Sequence, residues 1–358
     1  MRMRLFLSFS LLLSLYVLNG CAPVTARPTI DPKLAEQEAA IQKKMAVEEQ
    51  IELFRRLSRV AQPILTNGVP ICGDDVTYFI GMDTNSIDAV AKDWRSAYAD
   101  ALGLEEYVKV TYVLANSPAE KSGFQVGDII TYLNDDKIEP GKYCYRDFQT
   151  RLTELLESGK DIEFWIERDG LPKKLVVSPA KRCSYSVVLT EDVVVNAYAN
   201  GHAVMVTKGM MQFAQKDDEL ALVIGHEMGH NVMDHIDKQQ GNRVMGAVLD
   251  GILSGLTGVY INTFQNVGGM LYSQEFEQEA DYVGMYFMER GGYDSSNVAN
   301  FWRRMGASFP YAITHATTHP TSASRYVFLT ECHKEIAGKE EAGKDLMPER
   351  AETVAKKK

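Results

Sequence analysis

His226 and His230 stand four residues apart, with Glu227 beside the first, in the run DELALVIGHEMGHNVMDHI from Asp218 to Ile236. On an α-helix, residues at this spacing are rotated by only about 40° from one another, so both imidazoles reach one cation while the carboxylate stands at its flank. The chemistry that uses such a trio is hydrolysis: two nitrogens hold one Zn²⁺ and the acid takes a proton from attacking water. A catalytic zinc needs a third protein ligand and leaves its fourth position to water. An HExxHxxGxxH completion is excluded, because Met233 stands at the glycine position and Ile236 at that of the third histidine. His235 lies about 180° from His226 around a continuing helix, which places it on the far side as a polar residue.

The missing ligand must then come from another element. Residues 270–290, MLYSQEFEQEADYVGMYFMER, have helical periodicity and stop at Gly291-Gly292. Around an apolar stripe of Phe276, Ala280, Val283 and Phe287, Glu275 and Glu279 share one flank, Glu277 and Asp281 the other. Ser273 and Gly284, small residues that let a second helix approach, accompany the latter pair. This leans toward Glu277 without deciding between the flanks. The first helix has Asp217 or Asp218 as a capping residue and apolar surface from Leu220, Val223, Ile224, Met228, Val232 and Met233.

Composition bounds the setting. The chain has 358 residues, 45% of them hydrophobic, and a formal net charge of −10. It is long enough for two domains, and its charge argues against a nucleic-acid partner. Arg2 and Arg4 precede a short apolar run, Leu5 to Leu18, and then Leu18-Asn19-Gly20-Cys21. This resembles a bacterial lipoprotein signal, which implies removal of residues 1–20, lipid on Cys21 and a periplasmic location, with Ala22 favouring the outer membrane. Residues 21–32 read as a tether and 33–62 as an amphipathic helix that packs on the body or mediates oligomers. In an oxidising compartment Cys72 and Cys183, which flank the central domain, are the preferred disulfide pair, leaving Cys144 and Cys332.

Residues 67–105 read as the first part of the peptidase region, with a strand in 70–82 and a helix over 86–102. From Tyr107 the pattern turns to β: strands at 107–114 and 127–133, a capped turn of helix in SPAEKSG, a helix over 145–157, and a hairpin about Asp169-Gly170. The run SPAEKSGFQVGDIITYLNDDKI resembles a PDZ domain over residues 106–181, which implies capture of an extended peptide at a sheet edge. Leu102-Gly103-Leu104 is the expected carboxylate loop. Residues 241–270 are Gly-rich and apolar but hold no continuous span of about 20 apolar residues, so a close-packed helix or lid is expected rather than a membrane crossing. A charged, solvated tail is expected over 337–358.

HEMGH (226–230), EQEAD (277–281) and HPTSASR (319–325), together with Asn196-Ala197, resemble the HtpX-like and CaaX-prenyl-protease-like gluzincin metallopeptidases over about 182–336. The resemblance implies an α+β fold, a mainly helical zincin-type domain with a small sheet beside the PDZ-like domain. It implies His226, His230 and Glu277 as zinc ligands, Glu227 as general base, and Asp281 as the acceptor that orients a zinc-bound imidazole. Arg325 then anchors its loop to a carboxylate, Asn196 and Ala197 offer an edge strand to substrate, and His319 stabilises the oxyanion or closes the zinc's open position. Without transmembrane helices the likeness is to the periplasmic branch, whose implied substrates are misassembled envelope and outer-membrane proteins. The rival reading is a zinc-binding, chaperone-like envelope protein with little proteolysis.

Overall fold

The computed structural model describes residues 25, 28–238, 273–314 and 322–349. The expectations for Cys21, His319 and residues 241–270 lie outside the described residues. The chain divides into two units, residues 1–43 and 44–358. In the first, the described residues are mainly the opening turns of helix α1 (Pro32–Asn67). That helix runs past Pro63, where it was expected to stop. Proline removes the amide that would bond the carbonyl of Arg59. The Tyr293 hydroxyl lies instead at 3.4 Å from that oxygen and 3.2 Å from the carbonyl of Val60. Leu57, Val60, Ala61, Ile64 and Leu65 bury one face of α1 in the same core as the HEMGH segment.

After a short helix at Val69–Cys72, strand β1 (Val76–Phe79) pairs antiparallel with β8 (Ala180–Cys183), Phe79 opposite Ala180. Cys72 and Cys183 are joined, as expected, across 111 residues, while Cys144 and Cys332 are free and buried. Everything between β1 and β8 is thus an excursion from one two-stranded ribbon. It forms an antiparallel six-stranded sheet from β2 (Met82–Asn85), β3 (Lys109–Val113), β4 (Ile129–Leu133), β5 (Asp136–Lys137), β6 (Ile162–Arg168) and β7 (Leu171–Val177). The order is β2-β3-β4-β6-β7, with β5 paired to β4. Residue 106, the expected PDZ boundary, lies in the connection between β2 and β3, two strands of this sheet.

Asp169 and Gly170, at φ 53° and 74°, make the β6–β7 turn that was read from their types. Residues 86–102 are not one helix. Two single turns, Ile87–Ala89 and Lys92–Trp94, precede α2 (Arg95–Leu102). The Arg95 guanidinium binds the Val90 carbonyl at 3.1 Å and Asp88 at 2.9 Å, satisfying from the side a group that a continuous helix would have used. Helix α3 (Cys144–Glu157) lays Phe148 and Leu152 on the sheet.

The second half is the expected mixture of helices and a small sheet. Strands β9 (Ser186–Thr190), β10 (Ala197–Ala199) and β11 (Ala203–Thr207) lie in the order β10-β11-β9, with β10 on the edge. Among the described residues it also holds helices α4 (Lys208–Phe213), α5 (Asp217–Val232), α6 (Ser273–Arg290), α7 (Asn300–Ser308) and α8 (Ser322–Glu341), with a single turn at Tyr311–Thr314. The chain beyond 337 does not leave the body at once. Lys339 is buried and donates to the Tyr286 hydroxyl at 2.6 Å and to the Met347 carbonyl at 2.7 Å. Gly343, at φ 61°, turns residues 344–349 back onto α6.

Candidate metal centre

Helix α5 begins differently from the expected aspartate cap. Glu219 reaches back to the backbone N–H groups of Gln215 and Lys216, at 2.9 and 3.1 Å, and is itself held by Arg304 at 2.8 Å. Asp217 serves Arg56 instead, at 2.9 Å, and Asp218 accepts from the amide of Asp294 at 3.1 Å. Both ends of this start are therefore tied to neighbouring helices, which sets the rotation of α5.

Glycines set its distance from α6. A Cβ added at Gly225 would lie 2.4 Å from the carbonyl oxygen of Gly284, and one at Gly229 would lie 2.7 Å from that of Ala280. The two helices cross with backbone against backbone, closer than larger side chains permit. At that crossing the EQEAD carboxylates face the HEMGH imidazoles.

Two imidazole nitrogens and the two oxygens of one carboxylate converge there. Nε2 of His226 and Nε2 of His230 are 3.2 Å apart, and Glu277 places one oxygen 3.4 Å from the first and the other 3.3 Å from the second. Atoms bonded tetrahedrally to one zinc at about 2.1 Å are about 3.4 Å from each other. The residues present therefore fit the ion: two nitrogens and a carboxylate, all buried, with one ligand atom from each lying within 4.8 Å of the others. Glu227, beside His226, is 4% exposed in the same enclosure.

Outward from the ligands the surroundings are asymmetric. Nδ1 of His226 faces Asp281 at 2.8 Å, and Arg325 holds the same carboxylate through Nε at 2.9 Å and through Nη2. The guanidinium is clamped over Trp302, 3.6 Å from the ring centre. Burial and Arg325 oppose charge on His226, but Asp281 and Glu277 outweigh them and hold its pKa up to about 9. Burial pushes His230 down. Asp281 stays below the usual carboxylate range: burial opposes ionisation, but Arg325 and His226 outweigh it.

His235 is not on the far side. Helix α5 ends at Val232, and Asp234 turns the chain at φ 54°, so a helical wheel does not apply to residue 235. The ring returns to His230, Nδ1 to Nδ1 at 3.0 Å, and its Nε2 meets Glu279 at 2.8 Å. The two acidic flanks of α6 thus divide their work, Glu277 and Asp281 at the ligand atoms and Glu279 at His235.

Ala197 opens the edge strand β10, and Asn196 immediately precedes it. The backbone of Asn196 pairs with Thr207, and Ala197 is buried while Tyr198 is 43% exposed. Asn231, next to His230, ties the β10–β11 turn to α5, accepting from the amide of Gly201 at 2.8 Å and donating to the carbonyl of Ala203 at 3.2 Å. Its position beside a ligand was the only sequence signal for that role. Leu102-Gly103-Leu104 is not a loop facing an edge strand: Gly103 caps α2 in the left-handed region and Leu104 is buried. The hydrophobic-Gly-hydrophobic triplet that opens the edge strand β2 is Ile80-Gly81-Met82, where Gly81 adopts φ 80° and a Cβ would strike Ser117. Helix α3 closes over that edge, Gln149 donating to Thr84 at 3.0 Å.

Residues 171–333 match the Peptidase family M48 model, and residues 79–178 match the PDZ domain model. The second half of the chain is thus similar to peptidase family M48 and the inserted segment to PDZ domains. Among curated relatives is the mitochondrial metalloendopeptidase OMA1 of Schizosaccharomyces pombe, 28% identical over 48% of this chain and 53% of its own length. The beta-barrel assembly-enhancing protease of Yersinia pestis is 24% identical over 40% of this chain and 33% of its own. The chain thus spans about a third to a half of these relatives. The ligand-bound HtrA3 PDZ domain aligns with 30% of the chain and 88% of its own, at 19% identity and a TM-score of 0.22.

Proposed function

We propose that this chain is a zinc metalloendopeptidase that carries one Zn²⁺ on His226, His230 and Glu277. Its substrates are unfolded or misassembled envelope proteins, reached from a lipid anchor on Cys21 in the bacterial periplasm. The observation that carries the enzymatic reading is the convergence of the two Nε2 atoms and the Glu277 carboxylate, each nitrogen 3.3–3.4 Å from a carboxylate oxygen and 3.2 Å from the other nitrogen, with Glu227 buried beside them. Zinc held there supplies Lewis acidity toward a peptide carbonyl and acidifies a water. Glu227 accepts that water's proton as oxygen bonds to the carbonyl carbon, and delivers it to the amine as the C–N bond breaks. Strand β10 offers its free edge to an extended substrate, which places the scissile bond by backbone pairing.

The envelope role is supported by the lipoprotein-like N-terminus and by relatives named for β-barrel assembly. Edge strand β2, opened by Gly81, supports capture of exposed C-termini by the PDZ domain. A bound peptide must displace the Gln149–Thr84 bond.

Glu227→Gln tests the enzymatic reading. The variant should keep its zinc and lose at least about a hundredfold in turnover of an unfolded protein. Zinc retained together with wild-type turnover would leave the chaperone-like reading.

A further inference from the structure

His235 and Glu279 do not touch the three converging ligand atoms, yet they engage the remaining nitrogen of one ligand. Both sides of the centre then have an outer partner, direct for His226 through Asp281 and relayed for His230 through a second imidazole.

The tautomers follow from the distances and the donor inventory. A neutral imidazole that gives its Nε2 lone pair to a cation carries its proton on Nδ1. The Nδ1–H of His230 must therefore be the donor in the 3.0 Å contact, and Nδ1 of His235 the acceptor. That leaves the proton of His235 on Nε2, where it is donated to Glu279 at 2.8 Å. Each ring nitrogen of His235 then has a defined role. The ring is fixed by more than hydrogen bonds: it is 2% exposed and lies nearly parallel to Phe276, 4.5 Å between centres at 17°. Glu279 is 43% exposed on its side chain, so an ordinary surface carboxylate had the option of pointing to water.

We infer that His235 and Glu279 are positioning residues, which hold His230 in its Nδ1–H tautomer and raise the donor strength of its Nε2 toward the metal. The inference rests on the proposed zinc site and extends it by His235, beyond HExxH, and by Glu279, at an unspecified position within ExxxD. Its energetic scale is that of groups that orient metal-bound imidazoles, about 10- to 100-fold in metal affinity.

Zinc affinity of the full chain, measured by competition with a chromophoric chelator, tests it. His235→Phe keeps the stack on Phe276 and removes both ring nitrogens; affinity should fall at least about tenfold. His235→Asn places an oxygen near the former Nδ1 and should recover a large part of the loss, which a packing role alone would not produce. Glu279→Gln, at a half-exposed position that tolerates the change, should lose several-fold, and it keeps the inference testable if His235→Phe fails to fold. Melting of the metal-free proteins separates folding from binding. Wild-type affinity in a folded His235→Phe or in Glu279→Gln overturns the relay alone. A wild-type chain that takes up no zinc overturns the metal reading and the relay with it.

Discussion

At the scale of single residues, the centre is a competition between protons and a cation for the same nitrogens. Asp281 and Glu277, against burial and Arg325, hold the pKa of His226 up to about 9 in the absence of metal. A raised pKa means that protonation of His226 stabilises the metal-free fold below its unfolded value near 6.5, and that this contribution is lost as pH rises through 9. Zinc must displace that proton. Apparent zinc affinity should therefore climb with pH from about 7 to about 9, by up to about tenfold per unit, and level off above; a flat titration would show that His226 is already neutral in the apo protein. His226 and His230 were legible from spacing, which leaned toward Glu277 without choosing it; the resemblance made that choice. His235 was not legible, because its role depends on a backbone reversal at Asp234, a residue type that enters the left-handed region without announcing it.

At the scale of elements, the decisive contact is the crossing of α5 and α6. Gly225, Gly229 and Gly284 leave no room for a side chain, so the crossing distance is fixed by main-chain atoms. Gly284→Val should force the helices apart at a cost of about 1–3 kcal/mol and separate Glu277 from the imidazoles. The variant should fold, melt lower, and bind zinc far more weakly; unchanged zinc binding would show that the crossing does not position the ligand. The small residues on the Glu277 flank hinted at this approach in the sequence. The run of α1 through Pro63 was hidden, since it requires Tyr293, more than two hundred residues away in the chain, beside the orphaned carbonyls. Local propensity carries no information about such a partner. The choice of Glu219 over Asp217 and Asp218 at the start of α5 was equally hidden, because Arg56 and Arg304 compete for those carboxylates only in the folded chain.

At the scale of the molecule, pattern gave period-2 segments with turn residues in the middle and helical periods after them, while the α+β fold class and the two domain assignments came from resemblance. The pairing of Cys72 with Cys183 was readable from their places on either side of the central domain. What pattern could not give was how the chain enters and leaves that domain, since β1 and β8 are short and a hundred residues apart. Their register has an evolutionary and practical meaning. With Phe79 opposite Ala180, the ribbon is a β-hairpin whose turn has been replaced by an entire domain. Cutting out residues 80–179 and closing the gap with Asn-Gly should restore an ordinary two-residue turn. The shortened protein should fold, keep the Cys72–Cys183 bond and bind one zinc. Loss of zinc binding in a folded product would show that the PDZ domain is a structural part of the peptidase. If the splice succeeds, the same two strand ends become a socket into which other recognition domains can be grafted, with the hydrolytic centre left intact and its choice of substrate rewritten.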